Sequence, residues 1–387
     1  MSGTPLLAEL RRLIALEGPI SVERYMALCL GHPVHGYYRT RDPLGAAGDF
    51  TTAPEISQIF GELLGLWAAE VWHGLGRPAP VRLVELGPGR GTLMADALRA
   101  IRAAAPACAA ALDLHLVETS PVLREAQARA LAGRHAPVSW HDSVDTLPDG
   151  PAVILANEFF DALPVRQYQR TARGWCERRV GLGPGGALAF GLSPEPTPEL
   201  AAPGREGAAP GRAGAVLTLP AAALDVTRRL AGRLLRQGGA LLAVDYGEAA
   251  GGTADTLQAV SRHRFADPLA APGEIDLTVQ VDFGALARAA AAEGARVHGP
   301  ATQADFLLAL GLAQRAERLA ARAAPEQAAA VLAGAERLVD RAPRGMGRLF
   351  KVLGLSSPLP GGSSPVPGGT GPVPPDLPGL PPSPPQD

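Results

Sequence analysis

Cysteine is scarce in this chain. The three residues present, Cys29, Cys108 and Cys176, are far apart, without the close pairs that hold zinc, and an odd number cannot all be paired. That excludes a fully paired disulfide set and suits a reducing compartment. Long apolar runs are missing too: none reaches the ~18 residues of a membrane span, and Glu9 stands early in the N-terminus where a signal peptide would be apolar. A cytoplasmic protein without membrane insertion is expected. Net charge is nearly absent, -2 over 387 residues, so no field argues for nucleic acid as a partner. Lysine occurs once, as Lys351, among 36 basic residues, and aromatics make up 5%; with 46 glycines and 38 prolines this reads as compositional bias. What is plentiful is apolar mass, 47% of the chain, enough for two domains or for one large α/β domain with insertions.

The most informative stretch is VRLVELGPGRGTL, Val81 to Leu93. An apolar strand-like run breaks into Gly87-Pro88-Gly89-Arg90-Gly91, and Leu93, Ala97 and Ile101 follow at helical spacing. A strand, a tight glycine turn and a helix start are expected, with the main chain open to close approach by a ligand. A dinucleotide fingerprint needs Gly-x-Gly-x-x-Gly, but the third residue after Gly89 is Thr92. The pattern Glu85-x-Gly87-x-Gly89-x-Gly91 instead resembles class I methyltransferases, whose cofactor S-adenosylmethionine (SAM) has no pyrophosphate. A second strand, Leu112 to Val117, ends in Glu118, a carboxylate suited to both ribose hydroxyls.

In chain order, residues 5 to 30 read as two amphipathic helices, the second capped by Ser21. Gly48 to Ser57 follows, a turn-rich segment expected to be an ordered lid with Asp49 as its polar contact. Ser57 to Trp72 carries a helical apolar period, and Val122 to Leu131 forms another helix. A third strand, Val138 to Trp140, leads to His141-Asp142-Ser143, where Asp142 either meets the adenine or caps a helix. The fourth strand, Ala152 to Ala156, ends in NEFFDALP, two carboxylates around two aromatics. The fifth, Ala240 to Val244, ends in Asp245. In an open α/β sheet ligands sit at the carboxyl ends of the strands, so these groups should converge. Glu85, Ser143 and Asn157 are counted with the cofactor on the same ground.

Trp175 to Leu182 and Ala187 to Leu192 suggest a β-hairpin, Pro194 to Gly214 a variable loop, and Leu349 to Leu353 a last strand. Arg262, His263 and Arg264 fall in a loop, where His263 is either a structural residue or a general base. After Ser356 the chain is rich in Pro, Gly and Ser and is expected to be a disordered tail. The fold expected is an α/β, Rossmann-like mixed sheet with helices on both faces, an N-terminal helical layer and an inserted hairpin. The division expected is 1–75 for the helical and lid region, 76–356 for the catalytic domain with an insertion at about 170–214, and 357–387 for the tail.

Taken together, GHPVHGYY, GDFTTAPEIS with Phe60-Gly61-Glu62, VELGPGRGTL, NEFFDALP, DYG, and SRHR followed by DLT and VDF resemble the MidA family of SAM-dependent methyltransferases over residues 5 to 353. The resemblance implies SAM as cofactor and a protein substrate. In the mitochondrial branch it implies dimethylation of an arginine in a complex I subunit. Arginine chemistry would suit the residues: a guanidinium stays protonated, so carboxylates must draw its charge to one edge. Glu158, Asp161 and Asp245 are the carboxylates expected to do so, with His263 as the alternative base. Transfer to another residue or a small molecule, and SAM binding without turnover, remain open at this point.

Overall fold

The computed structural model describes residues 3–40, 52–133, 137–201, 212–261, 264–357 and 377–381. Its contacts divide the chain into two units that interleave along the sequence. One takes residues 1–50, 160–225 and 250–281; the other takes 51–159, 226–249 and 282–387. The division expected at residue 75 therefore falls inside a unit. The helix Gln58–Gly74 is apolar on nearly every side and packs on Thr92–Ala104, so it belongs with the catalytic sheet. Glycine allows the contact, because a Cβ on Gly65 would lie 2.6 Å from the Ala97 carbonyl oxygen.

The second unit is built on a mixed sheet. Its strand order is Arg296–Thr302, Phe350–Ser356, Gly239–Glu248, Ala152–Asn157, Val81–Leu86, Leu112–Val117 and Val138–His141. Phe350–Ser356 is antiparallel to both its neighbours, and the pairs from Gly239–Glu248 to Val138–His141 are parallel. Parallel strands are covered on both faces, and the sequence obeys this. Leu83, Val153, Leu242 and Val244 share a core with the helices Gln58–Gly74 and Thr92–Ala104. Val84, Ile154, Leu241 and Ala243, one residue out of phase, are as fully buried. Glu62, buried in this layer, is held by Arg99 and by Arg315 Nε at 2.7 Å, tying three helices together.

Register places the carboxyl ends side by side. Leu86 lies opposite both Ala156 and Val117, Val117 opposite His141, and Asn157 opposite Val244. Leu86, Val117, His141 and Asn157 each end their strand, so loops or turns leave from one edge there, whereas Gly239–Glu248 runs four residues past Val244 and keeps Asp245 inside the strand rather than at its end.

The other unit packs the helices Pro5–Glu17 and Val22–Gly31 around Leu6, Leu10, Tyr25 and Met26, with Ser21 Oγ capping the second helix at Arg24 N. The expected hairpin is present as Gly174–Leu182 paired with Leu188–Pro196, but it is only part of a five-stranded antiparallel sheet. Arg166–Thr171, Val216–Leu219 and Ile20–Ser21 complete it. A three-stranded sheet of Arg264–Ala266, Gln258–Ser261 and Asp276–Thr278 lies in the same unit. Within the insertion, residues 202–211 lie outside the described residues.

The tail expectation needs correction at residues 377–381. Leu377 and Leu380 are 2% and 5% exposed and belong to the core of the catalytic sheet. They fit over Gly354, where a Cβ would lie 2.5 Å from Leu377, and the Pro381 carbonyl accepts a hydrogen bond from Gly299 N at 2.9 Å. Two leucines three positions apart need no longer periodicity to bury apolar area, so the low-complexity composition concealed them.

Candidate active site

The glycine turn follows Val81–Leu86 directly. Gly87, Gly89 and Gly91 have φ of 61°, 52° and 82°, the left-handed region in which a side chain costs ~1–2 kcal/mol. Space is restricted as well: a Cβ would meet the Phe159 ring at 3.2 Å from Gly87 and the Gln127 backbone at 3.3 Å from Gly91. Gly87 N continues the ladder to Val117 O, and Gly91 N closes the turn on Pro88 O at 2.8 Å. Glycine is thus required both by conformation and by crowding.

Glu118 stands at the neighbouring strand end, 8% exposed. Its Oε1 accepts from Ser120 N at 2.7 Å and its Oε2 from Gln127 Nε2 at 3.2 Å. Burial raises its pKa, and the backbone and Gln127 hydrogen bonds oppose the shift. A carboxylate has about four acceptor sites, so two fixed bonds leave capacity for a ribose diol. Arg124 donates to the Glu118 carbonyl and, at 2.7 Å, to Asp142. The Asp142 side chain is 80% exposed and caps nothing; the capping alternative belongs to Ser143, whose Oγ accepts from Asp145 N at 3.2 Å.

On the other side of the turn, Glu85 and Asn157 are buried at the ends of adjacent strands. Among the described residues, Glu85 Oε2 and Asn157 Oδ1 have no hydrogen-bond partner. Burial alone carries the Glu85 pKa up to about 8. Two buried acceptors without donors fit a ligand that brings N–H groups, and the amino group of SAM's methionine part is such a donor.

Glu158 has φ of 50°, one of two non-glycine residues with positive φ among the described residues. Strain of that kind collects at functional sites. Burial pushes its pKa to about 7. Its Oε1 accepts from Asn157 Nδ2 and from Ala53 N, each at 3.3 Å. Ala53 opens the short helix Ala53–Ile56, whose Glu55 accepts from Thr92 Oγ1 at 2.6 Å just beyond the glycine turn. Arg90 of the turn lies 3.8 Å from the same Glu55. The end of the TTAPEIS segment is therefore fastened to two strand ends. Asp245 is fully buried in its strand, with Oδ1 accepting from Tyr246 N.

Asp161 belongs to the other unit, 6% exposed, its carbonyl accepting from Val279 N. In that unit Tyr38 donates to Asp276 at 3.0 Å, and burial together with the charges of Asp276 and Asp161 raises the Tyr38 pKa. Asp49 and His263 lie outside the described residues. The structure thus gathers Glu85, Gly87, Gly89, Gly91, Glu118, Asn157 and Glu158 along one sheet edge. Sequence reasoning missed Glu55, Thr92, Arg124, Gln127 and Trp140. Thr92 and Glu55 stood inside quoted motifs, but nothing local in the sequence marked Gln127.

Residues 63–301 match the family profile described as “Putative S-adenosyl-L-methionine-dependent methyltransferase”. The chain is 38% identical to the zebrafish (Danio rerio) mitochondrial protein arginine methyltransferase NDUFAF7, over 89% of its own length and 85% of that protein's. The human NDUFAF7 is 37% identical over 91% and 83%. A Burkholderia thailandensis protein crystallised with S-adenosyl-homocysteine is 30% identical, with a TM-score of 0.74 over 91% of each chain. The left-handed glycine turn, the fixed Glu118 carboxylate at the next strand end and these likenesses agree, and the chain belongs to the family of SAM-dependent methyltransferases that includes NDUFAF7.

Proposed function

We propose that this enzyme methylates the guanidinium of an arginine in a protein substrate. The observation that carries the reading is a pair of strand-end carboxylates, Glu85, buried, and Glu158, half-buried and held at φ of 50°, neither of them in an ion pair among the described residues, with burial raising their pKa values to about 8 and about 7. Each is a place where an incoming cation is favoured. Glu85 takes the cofactor's amino group, and Glu158 takes the guanidinium of the substrate.

SAM supplies an electrophilic methyl on sulfur; the substrate nitrogen forms the new N–C bond as the S–C bond breaks, leaving S-adenosyl-homocysteine. The glycine turn holds the methionine part, Glu118 the ribose, and Asp142 and Ser143 the adenine end. Asn157 keeps Glu158 oriented through its 3.3 Å hydrogen bond. Glu158 and, on the neighbouring strand, Asp245 are the carboxylates assigned to the guanidinium. Pairing with a carboxylate keeps the positive charge on one edge of the guanidinium, so the opposite nitrogen gains nucleophilicity. Much of the acceleration is positional, because the nitrogen must approach the methyl in line.

NDUFAF7 relatives are named as arginine methyltransferases, which supports the choice of arginine over other acceptors. A subunit of a complex I type respiratory enzyme is the proposed substrate, on the family resemblance. The cytoplasm is the proposed compartment, on three buried free cysteines, although the named relatives are mitochondrial; among the described residues no helix is long and apolar enough to cross a membrane.

The test supplies labelled SAM and purified enzyme to an extract of cells lacking the protein, followed by mass spectrometry of methylated arginines. Methylarginine appearing with wild type and not with Gly89→Val supports the reading. Label on another residue or a small molecule, or tight SAM binding with no methylated product, overturns it.

A further inference from the structure

We propose that Gln127 is a positioning residue for the cofactor, locking the glycine turn and the ribose carboxylate into one arrangement through a single side-chain amide. Gln127 sits on the helix Pro121–Leu131, fully buried, and contacts three separate strand ends. Its Nε2 donates to Gly89 O at 2.8 Å and to Glu118 Oε2 at 3.2 Å. Its Oε1 accepts from Trp140 Nε1 at 2.9 Å.

The chemistry of these partners leaves the amide one orientation. An indole N–H only donates, so the side facing Trp140 must be the carbonyl oxygen. A backbone carbonyl and a carboxylate only accept, so the side facing Gly89 and Glu118 must be the NH2. A flipped amide would set two acceptors against an oxygen and two donors against each other. The glutamine is therefore held from both sides, and it transmits that constraint to both cofactor-binding elements. Backbone packing supports the same coupling: Gly91 approaches Gln127 so closely that an added Cβ would lie 3.3 Å from its Cα. With Oε1 of Glu118 fixed by Ser120 N and Oε2 by Gln127, the carboxylate cannot turn, and its remaining acceptor sites keep one direction.

The charged groups around the amide are few. Arg124, on the same helix, binds the Glu118 carbonyl and Asp142. His141, on the neighbouring strand, gives its carbonyl to Glu118 N, and burial lowers its pKa toward the neutral ring, with His115 adding to the shift. Arg90 of the turn lies toward Glu55.

The inference rests on the cofactor site described above, and the experiment separates the two. SAM affinity is measured by calorimetry from pH 6 to 9 for wild type, Gln127→Leu, Gln127→Glu and Gly89→Val, with thermal melts on each. Gln127→Leu keeps the volume but removes both N–H donors, and its affinity should fall about 10- to 100-fold at every pH, the loss of a hydrogen bond to a charged group. Gln127→Glu retains the oxygen facing Trp140 and, while protonated, one donor toward Glu118. Its affinity relative to wild type should be near one at pH 6 and should fall at least tenfold by pH 9, as the two facing carboxylates both ionise. A residue that merely filled space would give no such pH dependence. Wild-type affinity in Gln127→Leu, or a Gln127→Glu ratio that does not change with pH, overturns the proposal. If Gln127→Leu fails to fold, the pH profile of Gln127→Glu decides alone. Undiminished affinity in Gly89→Val would instead refute the cofactor site itself.

Discussion

Replacing Glu85 with glutamine tests whether its buried carboxylate, whose Oε2 has no hydrogen-bond partner among the described residues, is reserved for the cofactor. In the free enzyme its pKa rises from 4.5 to about 8 through burial alone, so it is protonated at neutral pH. An acid with a raised folded pKa contributes stability that is complete below pH 4.5 and is lost as pH rises through 8. At ~1.4 kcal/mol per unit, the shift sets a ceiling of about 5 kcal/mol on the stability lost by pH 9. Glutamine removes the charge but buries an amide N–H2, at a cost of ~1–3 kcal/mol where it finds no acceptor. The variant should therefore unfold at about the same denaturant concentration as wild type, or slightly lower, at pH 5, and should gain ~2–4 kcal/mol relative to wild type at pH 9. The ligand side has the opposite sign. An ammonium beside Glu85 favours its ionised form, so SAM binding releases a proton below pH 8 and wild-type affinity rises with pH up to that point. Urea unfolding at both pH values, and calorimetry in two buffers of different ionisation enthalpy, measure the two halves. Equal pH dependence of stability in wild type and variant, or SAM binding without proton release in wild type, would refute the reasoning.

Glu158→Gln should reduce methyl transfer by at least tenfold while leaving SAM affinity within about threefold, measured in single turnover, because the amide keeps a hydrogen-bonding oxygen for Ala53 N but loses the charge. Loss of SAM binding as complete as in Gly89→Val would assign Glu158 to holding the Ala53–Ile56 helix over the cofactor instead. Ending the chain at Ser357 should cost ~2–4 kcal/mol and lower the melting temperature by several degrees, since Leu377 and Leu380 leave the core. An unchanged melt would show that the contact over Gly354 contributes nothing.

The parts of this enzyme that could be read from the sequence are those written locally. Each strand-end residue announced itself by its place in or after an apolar run, so Glu85, the three glycines, Glu118 and Asn157 could be singled out as candidates, and parallel pairing then had to bring them to one edge. Gln127 was invisible for the opposite reason. Its partners Gly89, Glu118 and Trp140 lie 38, 9 and 13 residues away, and on a helix with ordinary composition a buried glutamine looks like a solvated one. The interleaved units were equally hidden: Ile20–Ser21 pairs with Arg179 and Val180, so a two-residue strand joined to a hairpin 160 residues distant enlarged what local signals showed as a hairpin alone. Glu158 lies between these cases. Its position after a strand marked it as functional, but its bond to Ala53 N crosses 105 residues and gives it a second task in this structure. A residue strained at φ of 50°, raised in pKa and bonded to a helix start can serve the substrate only if that hydrogen bond yields or is shared when the guanidinium arrives. Both of its bonds fall on Oε1, so sharing requires no rearrangement of the carboxylate, and Oε2 is the oxygen through which the guanidinium would be engaged.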